Sequence, residues 1–158
     1  MGTEIVTRTL AACTMAAVRD TLPSADDEGR LWERLWSALA DAGAVAVPEP
    51  LVLTVYHDDL LLSSNADLEV RLEVAAPFDS TARVRCHQVP GTLVASSRQN
   101  GSAPDMPAVF DALGRWIARN GYRFAGPMFG VYRPGPGAMP EPGRGVVEVC
   151  APVSLLQL

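Results

Sequence analysis

The chain has 158 residues, 48% of them hydrophobic and 20% charged, with a formal net charge of −5. That is long enough for one ordinary domain with a real core, and too apolar for a disordered chain. The 13 Lys and Arg are scattered among 18 Asp and Glu, which argues against nucleic acid as a partner, since phosphate binding needs clustered positive charge.

Residues 4–19 alternate weakly and carry β-branched side chains, which predicts an extended strand bent near Ala11–Cys13. Pro23 and Ser24 break the pattern, and Asp26 or Asp27 is placed to cap a helix by accepting its free N–H groups. Leu31, Leu35, Ala38, Leu39 and Ala42 recur at helical spacing, and Gly43 ends that helix. Leu51–Tyr56 then reads as a short strand, and His57-Asp58-Asp59 opens a loop. Leu68, Val70, Leu72 and Val74 alternate with Asp67, Glu69, Arg71 and Glu73, so this strand buries one face and uses the other differently. The pattern then restarts. Arg83–Arg98 is extended with a bend at Pro90-Gly91. Asp105 caps a second helix with Val109, Leu113, Trp116 and Ile117 on its apolar stripe, closed by Asn120-Gly121. A strand over Phe124–Arg133, a Pro- and Gly-rich loop over 134–145 and a last strand over Val146–Val153 complete the chain.

Cys13, Cys86 and Cys150 are widely spaced and form no CxxC pair, so they carry no metal or redox signature and read as small hydrophobes. The sequence has no signal-peptide pattern and no apolar run near ~18 residues. The expectation is a cytoplasmic protein with no membrane partner and no cofactor.

The restart is an internal repeat. A shift of 78 residues takes Thr14 to Thr92, Ala17 to Ala95, Asp27 to Asp105, Trp32 to Phe110, Leu35 to Leu113, Leu39 to Ile117 and Gly43 to Gly121. A shift of 76 takes Val55-Tyr56 to Val131-Tyr132, and a shift of 79 takes Glu69-Val70 to Glu148-Val149. The chain therefore reads as a single α+β domain over 1–158, with pseudo-repeats at about 4–76 and 82–153. Each is a β-α-β-β unit, and two such units side by side leave a groove along their pseudo-twofold axis.

Several segments carry a resemblance. They are Val55-Tyr56-His57-Asp58, Asp67-Leu68-Glu69-Val70, Val89-Pro90-Gly91-Thr92, Trp116 with Asn120-Gly121-Tyr122, Gly126-Pro127 with Val131-Tyr132, and Val147-Glu148-Val149 with Pro152-Val153. Together, in this order and spacing, the sequence resembles the GyrI-like family, the effector-binding domain of multidrug-responsive transcription regulators. The resemblance implies a tandem β-α-β-β fold of SHS2 type with antiparallel sheets, one helix per half and a central groove. It also implies a stand-alone member that binds bulky, flat, often cationic compounds. Other members are linked to drug sequestration, to binding of protein partners including gyrase, and in one branch to hydrolysis of cyclopropane-containing toxins.

The family places a glutamate two residues before the strand tyrosine, as a counter-charge or a base. This sequence has Gly130 there, with Thr54 as its repeat partner. The expectation is that Gly130 leaves a space in the groove floor and weakens both cation recognition and family-type hydrolysis. Glu69, Glu73 and Glu148 could substitute, and Glu148 is favoured because its same-face neighbours Val146 and Cys150 are apolar. The groove walls are expected from Trp36, facing the smaller Gly114 of the other helix, and from Tyr56 and Tyr132, whose rings and hydroxyls can orient a ligand. Met128 supplies an adaptable apolar wall and Trp116 a further contact or core position. His57 and His87 lack a second ligand at metal spacing. The expected function is capture of a hydrophobic, planar small molecule for sequestration or sensing. A hydrolase of reactive toxins, with Glu148 as the candidate base, is the alternative. A protein-binding modulator is a third.

Overall fold

The computed structural model describes residues 4–58, 65–99, 105–133 and 145–156. Strand β1 (Ile5–Leu10) and strand β2 (Cys13–Leu22) are separated by the break expected near Ala11. A single 3₁₀ turn (Ala25–Asp27) leads into helix α1 (Gly29–Ala42). Strands β3 (Val52–Tyr56), β4 (Ala66–Val74), β5 (Arg85–Val89) and β6 (Thr92–Arg98) follow, then helix α2 (Met106–Arg119). Strands β7 (Tyr122–Phe124), β8 (Phe129–Tyr132) and β9 (Glu148–Leu155) close the chain.

Two local expectations are corrected. Neither Asp26 nor Asp27 caps α1. The Ser24 side chain accepts from the Asp26 N–H and caps the 3₁₀ turn, while Glu28 stands at the N-cap of α1 without a side-chain capping bond. The span Phe124–Arg133 is two strands, because Gly126 and Pro127 interrupt the ladder. The other helix ends follow the sequence. Gly43 adopts φ 70° and Gly121 φ 78°, the left-handed conformation that terminates a helix cheaply only at glycine, and the Asp105 carboxylate accepts from the Ala108 N–H.

Eight strands form one strongly curled antiparallel sheet in the order β1-β6-β9-β8-β3-β4-β2-β5, and β7 pairs with the far end of β9. The fold class is the expected α+β one, with one helix per half. The sequence β6-β9-β8 mirrors β2-β4-β3 about the central β3–β8 pair, where Thr54 stands opposite Gly130. Each half sends its leading strand across this axis. β1 pairs with β6, and β5 pairs with β2. Glu69 faces Arg19 on β2 and Glu148 faces Arg98 on β6, so the strands superpose with Ala17 on Ser96, one residue off the Ala17–Ala95 match read from sequence.

Both helices cover one face of the sheet. Leu31, Trp32, Leu35 and Leu39 of α1 bury against Ala16, Val18, Val52, Leu68, Val70 and Leu72, and α2 buries Leu113 and Ile117 against Ala95, Val149, Ala151 and Val153. A third cluster lies on the opposite, helix-free face, built from Met15, Leu53, Val55, Val94, Phe129, Val131 and Cys150. Of the cysteines, only Cys150 is buried; Cys13 and Cys86 are half-buried. Burial pushes the Cys150 thiol up to about 12, so it stays protonated and inert. No helix among the described residues is long and apolar enough to cross a membrane.

Candidate functional site

The seam between the halves is crossed by two aromatic contacts. Trp32 of α1 meets Tyr132 of β8 edge-on, with ring centroids 6.3 Å apart. Phe110 of α2 meets Tyr56 of β3 at 5.4 Å. Trp32 and Phe110 are repeat partners, as are Tyr56 and Tyr132, so each helix reaches across to the tyrosine of the other half. The deep part of the groove is thereby closed by rings.

Between these contacts lies a polar knot. The Tyr132 hydroxyl donates to the Glu28 carboxylate at 2.8 Å, and the Trp32 indole N–H donates to the same oxygen at 3.0 Å. Burial raises the pKa of both tyrosines, and the Glu28 charge raises them further, so both remain neutral hydroxyl donors. The Thr54 hydroxyl is fully buried beneath them and makes no geometrically good hydrogen bond among the described residues. Glu28 went unnoticed in the sequence because it reads as a first-turn helix charge, and only the fold aims it at the seam. Replacing it by alanine strands two partly buried donors. Glu28→Ala is expected to cost about 1–2 kcal/mol in denaturant unfolding, with a shift in Trp32 fluorescence.

Gly130 does not leave a space. A Cβ built there would lie 2.5 Å from the Tyr56 hydroxyl and 2.8 Å from a Val146 methyl. The volume the family glutamate would use is thus filled by those two side chains. Val146 packs on the helix side of the sheet, not beside Glu148 as expected.

The open part of the seam is a cleft of about 520 Å³ at its end, lined by Tyr56, His57, Asp58, Phe110, Phe124 and Met128, with Gly126 and Pro127 at its rim. Phe124 is half exposed there, and its ring lies 4.0 Å from where a Cβ on Gly114 of α2 would stand. Gly114 therefore accommodates Phe124, not Trp36. Phe110 and Phe124 were not singled out in the sequence as cleft walls. The only signal for Phe110 was its repeat relation to Trp32.

Of the residues singled out from sequence, Tyr56 and Met128 line this cleft, and Thr54, Gly130 and Tyr132 form the floor behind Tyr56. Trp36 is 44% exposed and lies outside the cleft. Trp116 stacks on Tyr122, with centroids 5.7 Å apart, at the margin of the α2 core. The placement of Glu148 in the groove is corrected. It lies on the helix-free face with Cys150, buried, and its carboxylate accepts two hydrogen bonds from the Arg8 guanidinium and one from the Ser96 hydroxyl. Burial alone would raise its pKa, but those bonds outweigh burial and hold it below the ordinary carboxylate range. An ionised, fully bonded carboxylate is a poor general base. Glu69 is held in the same way by Arg71, His57 and His87. The loop over 134–144, with Met139, lies outside the described residues.

Two helices on one face of a strongly curled antiparallel sheet, meeting at a mirrored seam with a cleft, define an effector-binding fold. Residues 3–154 match the GyrI-like small molecule binding domain, and the chain belongs to that family. The C-terminal domain of EcmrR is similar over 99% of this chain and 100% of that one, at 17% identity and a TM-score of 0.83. In the EcmrR–DNA complex the likeness covers 97% of this chain but 58% of the longer EcmrR chain, at 17% identity and a TM-score of 0.82. A hydrolase from Listeria innocua, encoded by lin2189, is similar over 97% of this chain and 93% of that one (13% identity, TM-score 0.63). SAV2435 bound to tetraphenylphosphonium is similar over 96% and 94% (15% identity, TM-score 0.53). No curated protein matches the sequence.

Proposed function

We propose that the protein captures a hydrophobic, planar small molecule in the cleft at the end of the seam, for sequestration or sensing. One observation carries this reading: a cleft of about 520 Å³ whose walls are the rings of Phe110, Phe124 and Tyr56 and the thioether of Met128. That is the size and composition of a drug-sized pocket, and rings on separate elements suit stacking on a flat guest. The polar atoms at its mouth come from His57 and Asp58. The Asp58 carboxylate already accepts the Asp67 N–H at 2.8 Å, so it is fixed in place. A fixed carboxylate at the mouth favours a cationic guest over a neutral one of equal size. SAV2435, with its phosphonium ligand, supports a bulky cation as the first probe.

The test titrates the protein with tetraphenylphosphonium, a planar cationic dye and a neutral dye of the same size, each followed by analysis of the recovered compound. Saturable binding with unchanged compound is expected. Phe110→Ala should weaken the planar cationic dye about 10-fold, the loss of one good aromatic contact, while Trp36→Ala leaves it unchanged. The reverse pattern would move the site onto α1. Turnover of a probe would favour the hydrolase reading, for which the candidate base Glu148 would have to be freed from Arg8.

A further inference from the structure

Two adjoining hollows meet on the helix-free face of the sheet, the second of them running round the β2–β5 edge to Arg34 of α1. One is an apolar pocket of about 130 Å³ walled by Leu10, Met15, Leu53, Val89 and Phe129, with Arg71 at its edge. An apolar pocket of this size has room for a guest about as large as benzene. The other is a groove of about 480 Å³ that shares Arg71 and adds Arg19, Arg34, Arg83 and Arg85, with His57 and His87 around Glu69.

Strand register explains why these groups gather. Leu53, Arg71, Ala17 and Arg85 lie in one row across β3, β4, β2 and β5, so their side chains share a face. Ala17 is the small member of the row, and two strand spacings of about 4.8 Å separate the flanking arginine backbones. Arg71, Ala17 and Arg85 all line the groove, so a slot lies between the two arginines above the buried Ala17. The matching row of the other half is Phe129, Cys150, Ser96 and Val6, with no arginine in it. The slot therefore exists on one side of the axis only, between β4 of the first half and the exchanged β5.

Most of the nearby cations have partners. Arg19 is paired with Asp67, Arg34 with Asp20 and Arg83 with Asp41. Arg71 donates through Nε and one terminal nitrogen to Glu69, which leaves its Nη1 without a partner among the described residues. Arg85 is exposed and makes no ion pair among the described residues. The surplus positive charge thus sits at the slot, beside the apolar pocket.

We propose that this face is a second small-molecule site, for a compact hydrophobic carboxylate. Its apolar body enters the pocket over Leu53 and Met15, and its anionic group lies between Arg71 and Arg85. Arg71 bridges the two hollows and so sets the distance between the apolar body and the charge. The site is on the opposite face from the aromatic cleft and selects the opposite charge.

The test is an amide-resolved NMR titration of the whole chain with hexanoate, and with 1-hexanol and hexylamine as matched controls. Hexanoate should bind with a dissociation constant on the order of 1 mM or below, as its few heavy atoms allow. It should shift the amides of Leu53, Met15, Arg71 and Arg85 and leave Phe110 and Phe124 still. Arg85→Gln removes charge from an exposed position without freeing a carboxylate, so the fold is retained. It should weaken hexanoate about 5- to 10-fold and hexanol not at all. Equal affinity for hexanoate and hexanol, an unchanged affinity in R85Q, or shifts confined to the aromatic cleft would each overturn the proposal. None of these results bears on dye binding at the seam, which is read separately.

Discussion

Replacing Arg8 with alanine is expected to lower stability by about 2–3 kcal/mol at pH 7. Arg8 is on β1 and Glu148 on β9, and the guanidinium grips the carboxylate through two nitrogens, one at 2.9 Å. Removing one partner of a buried pair leaves the other charged and desolvated, which typically costs about 3–5 kcal/mol. The lower figure applies because the Arg8 side chain is 39% exposed and solvent screens the pair, and because Ser96 still donates to Glu148. The pH dependence has a definite sign. In the native protein Glu148 titrates below its unfolded value, so its contribution is present above about pH 4 and is lost as pH falls through the folded value. In the variant, burial is opposed only by the Ser96 bond and the more distant Arg98 charge, so the folded carboxyl titrates higher than it does beside Arg8. The deficit should therefore be largest at neutral pH and shrink on acidification toward pH 4. Urea unfolding at pH 7 and pH 4 measures both. A deficit that stays constant with pH would show that Arg8 acts through packing and not through Glu148.

Gly130→Ala is expected to destabilise by about 1–3 kcal/mol, the usual range for forcing a methyl group into a filled core. Backbone conformation is not the reason, since Gly130 has no positive φ. The reason is contact. The new Cβ meets the Tyr56 hydroxyl and both Val146 methyl groups within 3.0 Å. Tyr56 is itself buried against Phe110, so it cannot swing aside without disturbing the cleft wall. Two consequences distinguish this account from a general loss of fold. In a Tyr56→Phe background the hydroxyl is absent, and the cost of Gly130→Ala should fall. In the wild-type background the same change should also weaken dye binding, because displaced Tyr56 alters the wall. Double-mutant cycles by denaturation measure the first effect and dye titration the second. Additive costs in the cycle would show that Tyr56 does not fill the Gly130 site.

Periodicity made the helices and most strands legible, because both helices bury one stripe and β4 buries one face. The repeat relation also located the seam, since it matched Trp32 with Phe110 and Tyr56 with Tyr132 before their crossed contacts were visible. Four features were not legible. Glu28 and Trp32 converge on Tyr132 across more than a hundred residues of sequence, and nothing local signals a hydrogen bond of that span. Gly130 looked like a vacancy because a sequence shows what a residue lacks and not what its neighbours bring. Glu148 looked like a groove carboxylate because its apolar neighbours were visible, while Arg8, on a strand exchanged from the other half, was not. Phe124 was read as part of a long strand, and the Gly126-Pro127 interruption turns it into a cleft wall.

The exchanged leading strands have one further consequence. Neither half owns a complete set of pairing partners, for β1 completes the far half and β5 completes the near one. Severing the chain between them would yield two pieces that each expose raw edges and that recover their hydrogen bonds only by reuniting. The architecture is that of two interlocked protomers joined end to end, so cooperativity is woven into the connectivity and does not depend on how tightly the seam is packed.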